Sequence, residues 1–456
     1  MSDRPATAPA RAGGFLANVN AVFLATVADY AVAFLASIVV ARTLGKAGLG
    51  AYSLFFLSAA LIHQMVGLGI GNASIYMLGR QVFTLRQVVT AGQVMVAASA
   101  VVAAALAGAG VPVVGDALRA RGVPAWAFLL AVPAMMDYRF LGFVLQGSGR
   151  FVAMSLVTLL DPLVFLVMFL AALAVADPGA RAAIWLRSAE LALAAGVALA
   201  VVGVRHIDPA KLLRPEGAVI ARMVRFGAQG ELGNLLQLAN YRLDAYLVAL
   251  FVGQAGVGLY AVAVGLSEGI WFIANSVAVV LVTQLTAGSA DDAAERTPVV
   301  LRHTLLLSAL GGATLAAGAP LFVDLLYGGA FAPAVVPLLW LLPGTVALAG
   351  SKVLTAYIFS QGRPLVNTMI TAAAVAVTVG ADLALIPALE VTGAAIASSA
   401  AYVVHFGLAL WAYGRLAGEN PLRGLAPRRD DALLYADAVR DWLARRRSST
   451  ATEGEV

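Results

Sequence analysis

Apolar residues in this chain are gathered into long runs that are separated by short polar connections. A helix needs about 20 consecutive apolar residues to cross a bilayer, so runs of this length predict membrane-spanning helices whose ends are uncertain by a few residues. We number the predicted spans 1 to 12 in chain order: residues 15–41, 50–78, 88–110, 123–146, 151–176, 182–204, 226–251, 257–284, 299–323, 332–360, 365–387 and 391–416.

The composition agrees with this pattern. Hydrophobic residues make up 61% of the 456 residues and charged residues 12%, with a mean hydropathy of +0.88, whereas a soluble domain is about 25% charged. We therefore predict an all-α integral membrane protein. The sequence has no cysteine, no phosphate-binding GxxxxGK[ST] loop and no HExxH zinc motif, so we predict no cofactor, no metal and no enzymatic activity.

The charges of the connections orient the chain. Cytoplasmic loops collect Lys and Arg, and most of these residues lie on the inner side when both termini are placed in the cytoplasm. The predicted organisation is a cytoplasmic N-terminal segment (1–14), an N-terminal six-helix bundle (15–204), a cytoplasmic linker (205–225), a C-terminal six-helix bundle (226–416) and a cytoplasmic tail (417–456). The predicted location is a bacterial cytoplasmic (inner) membrane.

An internal repeat supports the division into two halves. Four positions recur at an offset of 208 residues: Gly45, Gly48, Gly50 and Tyr52 as Gly253, Gly256, Gly258 and Tyr260. A second likeness follows spans 4 and 10, where Gln146-Gly147 and Arg150 match Gln361-Gly362 and Arg363. Two six-helix bundles of equal orientation indicate a parallel repeat, as transporters use. The alternative is that glycine-rich turns between membrane helices look alike by chance.

Two further segments allow two interpretations each. Apolar pairs recur every four residues between Leu434 and Leu443 of the tail, which fits an amphipathic helix on the inner leaflet or a solvated tail. In span 2, glycines at 67, 69 and 71 fit a hinge or a close helix crossing, or ordinary packing by small residues.

Ionisable residues inside the spans are the candidates for function. A charge at the bilayer centre costs about 2.5–3.5 kcal/mol on insertion scales, so such residues usually face a bundle interior or a wet cavity. The cations are Arg139, Arg242 and Lys352, and Arg and Lys bind phosphate. We therefore expect them to bind an anionic head group. The alternative is that each pairs with a carboxylate or snorkels to an interface.

Carboxylates within the spans are candidates for ion coupling. Asp29 and Asp244 lie in mid-span in the first helix of each half, and Glu268 lies in span 8. A buried carboxylate with a raised pKa can bind and release a proton near neutral pH, so we assign these three residues to coupling with H⁺ or Na⁺. A structural salt bridge is the alternative. Arg242 and Asp244 stand about 200° apart on a helix, so they cannot pair with each other.

Two segments resemble a known family. The first is VVARTLGKAGLGAYSLFFLSAALIHQMVGLGIGNASIYML, and the second is RLDAYLVALFVGQAGVGLYAVAVGLSEGIW. They are similar to the first two helices and to the seventh and eighth helices of bacterial polysaccharide exporters. These include the O-antigen (Wzx-type) flippases of the multidrug/oligosaccharidyl-lipid/polysaccharide exporter superfamily. The resemblance covers about residues 15 to 416.

The resemblance implies a V-shaped pair of six-helix bundles. Such proteins flip an undecaprenyl-pyrophosphate-linked oligosaccharide to the outer leaflet by alternating access, for cell-surface polysaccharide such as lipopolysaccharide O-antigen or exopolysaccharide. Family members line the cavity with cations, which the resemblance assigns here to Arg242 and Arg42. A polysaccharide polymerase and chain-length machinery are the expected partners.

Two other functions stay open. A drug/cation antiporter of the same superfamily prefers an acidic, aromatic-lined pocket without deep cations, so the three in-span cations speak against it and the acids speak for it. A membrane polymerase or ligase of glycans needs a large outer loop, and the predicted spans leave no room for one.

Overall fold

The computed structural model describes residues 12–109, 127–272 and 290–418, together with positions 420, 422 and 425. Of residues 12–23, 106–109, 213 and 290–296 it describes the backbone alone. The amphipathic tail helix predicted between Leu434 and Leu443 lies outside the described residues, as do most of the predicted tail and N-terminal segment.

Every long element of the described residues is a helix, and none of these residues lies in a strand. The α-helices are α1 (Ala12–Gly67), α2 (Ile70–Gly79), α3 (Leu85–Ala109), α4 (Phe128–Gly147), α5 (Phe151–Val175), α6 (Ala180–Val202), α7 (Pro209–Leu213), α8 (Gly217–Phe251), α9 (Gln254–Glu268), α10 (Ala290–Tyr327), α11 (Val335–Ser360) and α12 (Pro364–Ala417). Short 3₁₀ helices occupy Val204–His206 and Gly329–Ala334.

The last helix contains two predicted spans, and the first contains span 1 and most of span 2, the rest of which lies in α2. Helix α1 has 56 residues and α12 has 54, so each is about 80 Å long at 1.5 Å per residue, against a hydrocarbon thickness of about 30 Å. Helix α1 bends at Gly45 (φ 63°) and α12 bends at Glu390 (φ 51°). Both bends fall between predicted spans, so spans 1–2 and 11–12 are continuous chains with a sharp bend.

The remaining helices match the other spans. Helices α3 to α6 are spans 3 to 6, α8 is span 7, α9 begins span 8, and α10 and α11 are spans 9 and 10. The rest of span 8 lies outside the described residues. Eight stretches of described helix, including long parts of α1 and α12, are long and apolar enough to cross a membrane. The prediction of an all-α, multi-pass membrane protein is confirmed.

The glycine turns confirm the repeat. Gly45 and Gly253 both adopt a left-handed backbone, with φ of 63° and 91°, which glycine adopts without steric cost. A Cβ on Gly50 would lie 1.8 Å from the carbonyl oxygen of Gln254, and one on Gly258 would lie 1.8 Å from that of Lys46. Gly50 and Gly258 are 208 residues apart in the sequence, and so are Lys46 and Gln254. The two turns therefore contact each other reciprocally, as the parts of a two-fold pair do.

The second repeated turn needs a correction in register. Gly149 and Gly362 have nearly equal φ of 73° and 72°, and Arg150 and Arg363 each precede the next helix with similar ψ of 56° and 53°. All four residues follow one offset of 213. Gly149, and not Gly147, is therefore the equivalent of Gly362.

The structure divides into two compact units. The larger contains residues Met1–Ala263, Pro320–Pro337 and Val379–Ala395, and the smaller contains Val264–Ala319, Leu338–Thr378 and Ile396–Val456. In the larger unit the apolar core is formed by residues such as Phe55, Met136, Phe140, Leu141 and Ile184. In the smaller unit it surrounds Val353, Tyr357, Ile358, Ala409 and Tyr413. The predicted bundle boundary at 205–225 stays a prediction.

Candidate functional site

The first group of buried ionisable residues surrounds Arg187 in the larger unit. The guanidinium of Arg187 forms ion pairs through Nη1 with Asp161 of α5 and with Glu190 of α6, and it lies 5.1 Å from the centre of the Phe165 ring. Asp29 of α1 is half-buried and feels the charges of Asp161 and Arg187. Two carboxylates thus form ion pairs with one cation, and a third, Asp29, is close enough to feel its charge. We call Asp29, Asp161, Arg187 and Glu190 the Arg187 cluster.

Sequence reasoning missed the role of Arg187. Arg187 is not among the in-span cations that we predicted to be functional, whereas the structure places it within α6 with a side chain 21% exposed and its partner Glu190 fully buried. The pattern that could have identified the pair is an arginine three residues before a glutamate on an apolar helix, because i,i+3 neighbours meet. Asp29, a predicted coupling residue, does lie in a charged cluster.

The second group contains two aspartates of the larger unit, which we call the acid pair. Asp244 of α8 is 1% exposed and Asp382 of α12 is 0% exposed, and Asp382 feels the charge of Asp244. Asp244 accepts hydrogen bonds from the Tyr260 hydroxyl and from the backbone N–H of Ala245. Among the described residues, neither carboxylate oxygen of Asp382 has a hydrogen-bond partner. Asn240, one turn before Asp244, also has a buried, unpartnered side-chain amide.

The acid pair is chemically suited to take up a positive charge. A buried charge without a partner is costly, and two carboxylates in one site disfavour each other's ionisation. A proton or a small monovalent cation would relieve both costs. Among the described residues, no group of three or more His, Cys, Asp or Glu side chains could hold a metal ion, so a cation here would rely on hydroxyl, amide or carbonyl oxygens as well.

Arg139, an exposed residue, lines a cavity in the larger unit whose wall combines polar and apolar side chains. The cavity has a volume of about 100 Å³ and lies at the break between α1 and α2. His63, Asn72 and Glu231 also line it. Arg139 forms no ion pair with any described residue, although it acts on His63 electrostatically. The predicted substrate-binding residue therefore faces space that a ligand can occupy.

Arg42 has protein partners. Its Nε donates a 2.8 Å hydrogen bond to the carbonyl oxygen of Leu326, and Nη2 donates to that of Leu325. These carbonyls belong to the last turn of α10, where backbone acceptors lack intrahelical donors. Arg42 therefore caps a helix end, and its role in substrate binding stays a prediction.

The two other predicted cations lie in different surroundings. Arg242 is half-buried on α8 of the larger unit. In the smaller unit, the ammonium of Lys352 lies 4.9 Å from the centre of the Trp271 ring and feels the charge of Glu268. Glu268, which we predicted to couple an ion, is thus the neighbour of a predicted anion-binding lysine. A cation over an indole face is a stable arrangement.

Near Lys352, His405 joins three spans of the smaller unit. Its Nδ1 lies 2.6 Å from the hydroxyl of Ser351, and its Nε2 lies 3.3 Å from that of Thr371. Thr371 donates its hydroxyl proton to the carbonyl oxygen of Asn367, so it can accept from Nε2–H while Ser351 donates to Nδ1. Both ring nitrogens are satisfied in the neutral tautomer, as in a packed structural histidine.

The predicted linker carries an ion pair on the protein surface. The carboxylate of Glu216 accepts hydrogen bonds from Lys211 and from Gln87 of α3, and these bonds lower the pKa of Glu216. The linker is also held by the backbone N–H of Asp208, which donates to Thr90 at 3.0 Å. These contacts attach the linker to α3 and are separate from the clusters described above.

The predicted site residues thus lie in several local groups, each within one compact unit. Asp29 belongs to the Arg187 cluster and Asp244 to the acid pair, while Arg139 faces a cavity and Arg42 caps α10. Glu268 and Lys352 lie together in the smaller unit. Asp382 was one of many in-span acids, and nothing in the sequence links it with Asp244.

Comparisons with known proteins define the class. The fold is similar to that of a lipid II flippase, MurJ, in an inward closed conformation, with a TM-score of 0.69 at 11% identity over 86% of this chain and 87% of that one. It is also similar to an inward-facing multidrug resistance MATE transporter of the MOP superfamily, with a TM-score of 0.66 at 14% identity over 86% and 95% of the two chains. A comparison with curated protein sequences found no match. At these low identities the two likenesses show the fold that this chain shares with those proteins.

Within that class the sequence itself identifies the family. Residues 39–336 match the family described as "Polysaccharide biosynthesis protein". Since this match covers more than half of the chain, the protein belongs to that family, as a multi-pass membrane protein.

Proposed function

We propose that this protein flips a lipid-linked oligosaccharide, carried on undecaprenyl pyrophosphate, from the inner to the outer leaflet of a bacterial inner membrane by alternating access. The observation that carries the proposal is the match of residues 39–336 to the polysaccharide biosynthesis family. This range contains the whole Arg187 cluster except Asp29, together with Asp244 and the cavity beside Arg139. The product would serve lipopolysaccharide O-antigen or exopolysaccharide synthesis, upstream of a polymerase and chain-length machinery.

Membrane physics supports this activity. A sugar chain cannot cross hydrocarbon unaided, because each unsatisfied polar group there costs several kcal/mol. Ionisable side chains inside membrane helices usually line a wet passage or a functional site. In this proposal Arg242, Lys352, Arg139 and Arg42 bind the anionic part of the substrate, while the lipid tail stays in the bilayer. Of the four, Arg139 lines a cavity within one compact unit.

An ion gradient is the proposed energy source, because the sequence has no phosphate-binding loop for ATP. Asp29, Asp244 and Glu268 are the proposed coupling residues. Support is strongest for Asp244, since its neighbour Asp382 is buried with two unpartnered carboxylate oxygens. Binding of H⁺ or Na⁺ to this pair would cancel a buried negative charge. The ion-bound and the ion-free protein would therefore differ in energy.

Deletion of the gene tests the proposed function. The expected result is accumulation of lipid-linked oligosaccharide on the inner leaflet and loss of surface polysaccharide, both restored by the wild-type gene. Arg242→Ala should fail to restore it while reaching the membrane at the wild-type level. Normal surface polysaccharide after deletion would refute the flippase function.

A drug/cation antiporter is the second candidate. The excess of carboxylates in the Arg187 cluster and the fold shared with multidrug resistance MATE transporters favour it. Measuring drug efflux from cells that express the protein separates the two functions. A glycan polymerase or ligase is a weaker candidate, and the chain length of the surface polysaccharide tests it.

A further inference from the structure

The cavity beside Arg139 lies where span 2 is interrupted. Helix α1 ends at Gly67 and α2 begins at Ile70, and between them Leu68 and Gly69 have positive φ of 46° and 69°. The carbonyls at the end of α1 and the first N–H groups of α2 thus lack their usual intrahelical partners. Irregular backbone at membrane depth is tolerated where it is buried in protein or lines a water-filled cavity.

Tight packing holds this break in place. A Cβ on Gly69 would lie 2.4 Å from the carbonyl oxygen of Gly227 in α8, and one on Gly227 would lie 2.4 Å from that of Leu68. A Cβ on Gly71 would lie 2.2 Å from the Phe143 ring. The interruption is therefore fixed by two neighbouring helices, α4 and α8. This close approach agrees with a close helix crossing and with ordinary packing by small residues alike, so both interpretations of the glycine run stay predictions.

Hydrogen-bonding groups on the cavity wall lack partners among the described residues. Arg139 and Asn72 line the cavity and are both exposed, and the side chain of neither forms an ion pair or hydrogen bond with another described residue. Nδ1 of His63 is buried and unpartnered. The N-terminus of α2 has no side-chain cap and adds partial positive charge to the same wall. Arginine, an amide and backbone N–H groups are the usual ligands of an oxyanion.

The carboxylate on this wall is already satisfied. Glu231 is 4% exposed. Its Oε1 accepts a 2.6 Å hydrogen bond from Gln64, and its Oε2 accepts a 3.3 Å hydrogen bond from Asn234. The donors of these two amides therefore face Glu231, which leaves Arg139 and Asn72 for a ligand. The negative charge of Glu231 still repels an anion in the cavity. Removing that charge should therefore strengthen anion binding, whereas removing the charge of Arg139 should weaken it.

We propose that the cavity at the break of span 2 binds a phosphate-sized oxyanion through Arg139 and Asn72, with His63 and the first turn of α2 completing the site. A volume of about 100 Å³ holds several waters, so one phosphate group fits. The interpretation of this oxyanion as the phosphate of the lipid carrier rests on the proposed function. Free phosphate has the same chemistry.

Binding to the purified full-length protein in detergent tests the site without transport. The probes are inorganic phosphate, geranyl phosphate and, as an uncharged control, geraniol. We expect Arg139→Gln to raise the dissociation constant for geranyl phosphate at least about tenfold, the equivalent of 1.4 kcal/mol for one charge-assisted bond. Glu231→Gln should lower it, and Arg150→Gln, at an exposed turn, should leave it unchanged.

The outcomes separate the sources and the hypotheses. Tighter binding of geranyl phosphate than of phosphate assigns the site to a lipid carrier, and equal binding assigns it to free phosphate. No binding of either, an unchanged constant in Arg139→Gln, or weaker binding in Glu231→Gln would overturn the proposal. Should Arg139→Gln fold poorly, the dissociation constants of two other variants test the site. The constant should rise in Asn72→Ala and fall in Glu231→Gln. Flipping without oxyanion binding would refute this site alone, and binding without flipping would refute the proposed function alone.

Discussion

The Arg187 cluster and the acid pair both bury carboxylates in the same compact unit, but they differ in the groups that contact these carboxylates. In the Arg187 cluster, Asp161 and Glu190 share a guanidinium. In the acid pair, Asp244 has a tyrosine hydroxyl as partner, and Asp382 has no hydrogen-bond partner in the part of the chain that the structure describes.

This difference separates a structural role from a binding role. Removing one partner of a buried ion pair leaves an uncompensated charge and is strongly destabilising. Asp382 has no hydrogen-bond partner among the described residues, so its neutralisation breaks no contact of that kind. The Arg187 cluster should therefore respond to substitution mainly in stability, and the acid pair mainly in ion dependence.

The largest expected effect is on transport by Asp382→Asn. The amide keeps the shape of the side chain but cannot bind a proton, and it no longer attracts a cation. We expect transport of lipid-linked sugar to lose its dependence on the ion gradient and to fall by about 5- to 150-fold, the usual range of a coupling free energy.

The measurement is flipping in proteoliposomes with and without an imposed H⁺ or Na⁺ gradient. Asp137→Asn is the control, because Asp137 of α4 has an amide partner in Gln93 at 2.6 Å. Equal loss of gradient dependence in both variants would show that the acid pair has no specific role in ion coupling.

The next effect is on the stability of Arg187→Gln. Glutamine leaves Asp161 and Glu190 buried without a cation, so we expect the free energy of unfolding to fall by about 3–5 kcal/mol. Denaturant unfolding in detergent measures it, with Arg150→Gln at an exposed turn as the control. A loss as small as that of Arg150→Gln would mean that the cluster is not a structural ion pair.

The fold was largely readable from the sequence because hydrophobic length alone defines a membrane helix. The twelve spans were predicted in this way, and the repeat was predicted from glycines that recur at a constant offset. The bends were less readable: Gly45 is a glycine at a turn, but Glu390 takes φ 51° without any local signal. A positive φ is uncommon for a residue other than glycine, so the residue type at this position does not predict the bend.

The site was only partly readable. Asp29 and Asp244 could be chosen for their depth in the first helix of each half. Their partners could not, because Asp382 is separated from Asp244 by three intervening helices along the chain. Arg187 was missed since it lies only seven residues after the start of α6 at Ala180, close to where a loop charge is expected.

A double-mutant cycle sharpens the comparison through the sign of the coupling. Asp161→Asn should lessen the damage of Arg187→Gln, giving a favourable coupling energy of about 0.5–3 kcal/mol between the two wild-type residues. Asp244→Asn and Asp382→Asn should give coupling of the opposite sign, since the two charges repel. The measurement is the free energy of unfolding of each single and double variant. The same sign in both cycles would contradict the contrast drawn here.

The smallest effect concerns the hydroxyl that faces Asp244. Tyr260→Phe removes the hydrogen bond to a carboxylate and should cost about 1.5–3 kcal/mol, the range for hydrogen bonds to charged groups. Tyr246→Phe is the matched control, because its hydroxyl bonds the neutral Ser58 at 3.1 Å and should cost about 0.5–1.5 kcal/mol. Thermal unfolding in detergent compares the two. If Asp244 holds a proton and is neutral in the folded state, the two losses will be equal, and Tyr260→Phe measured with and without Na⁺ then shows whether that cation restores the difference.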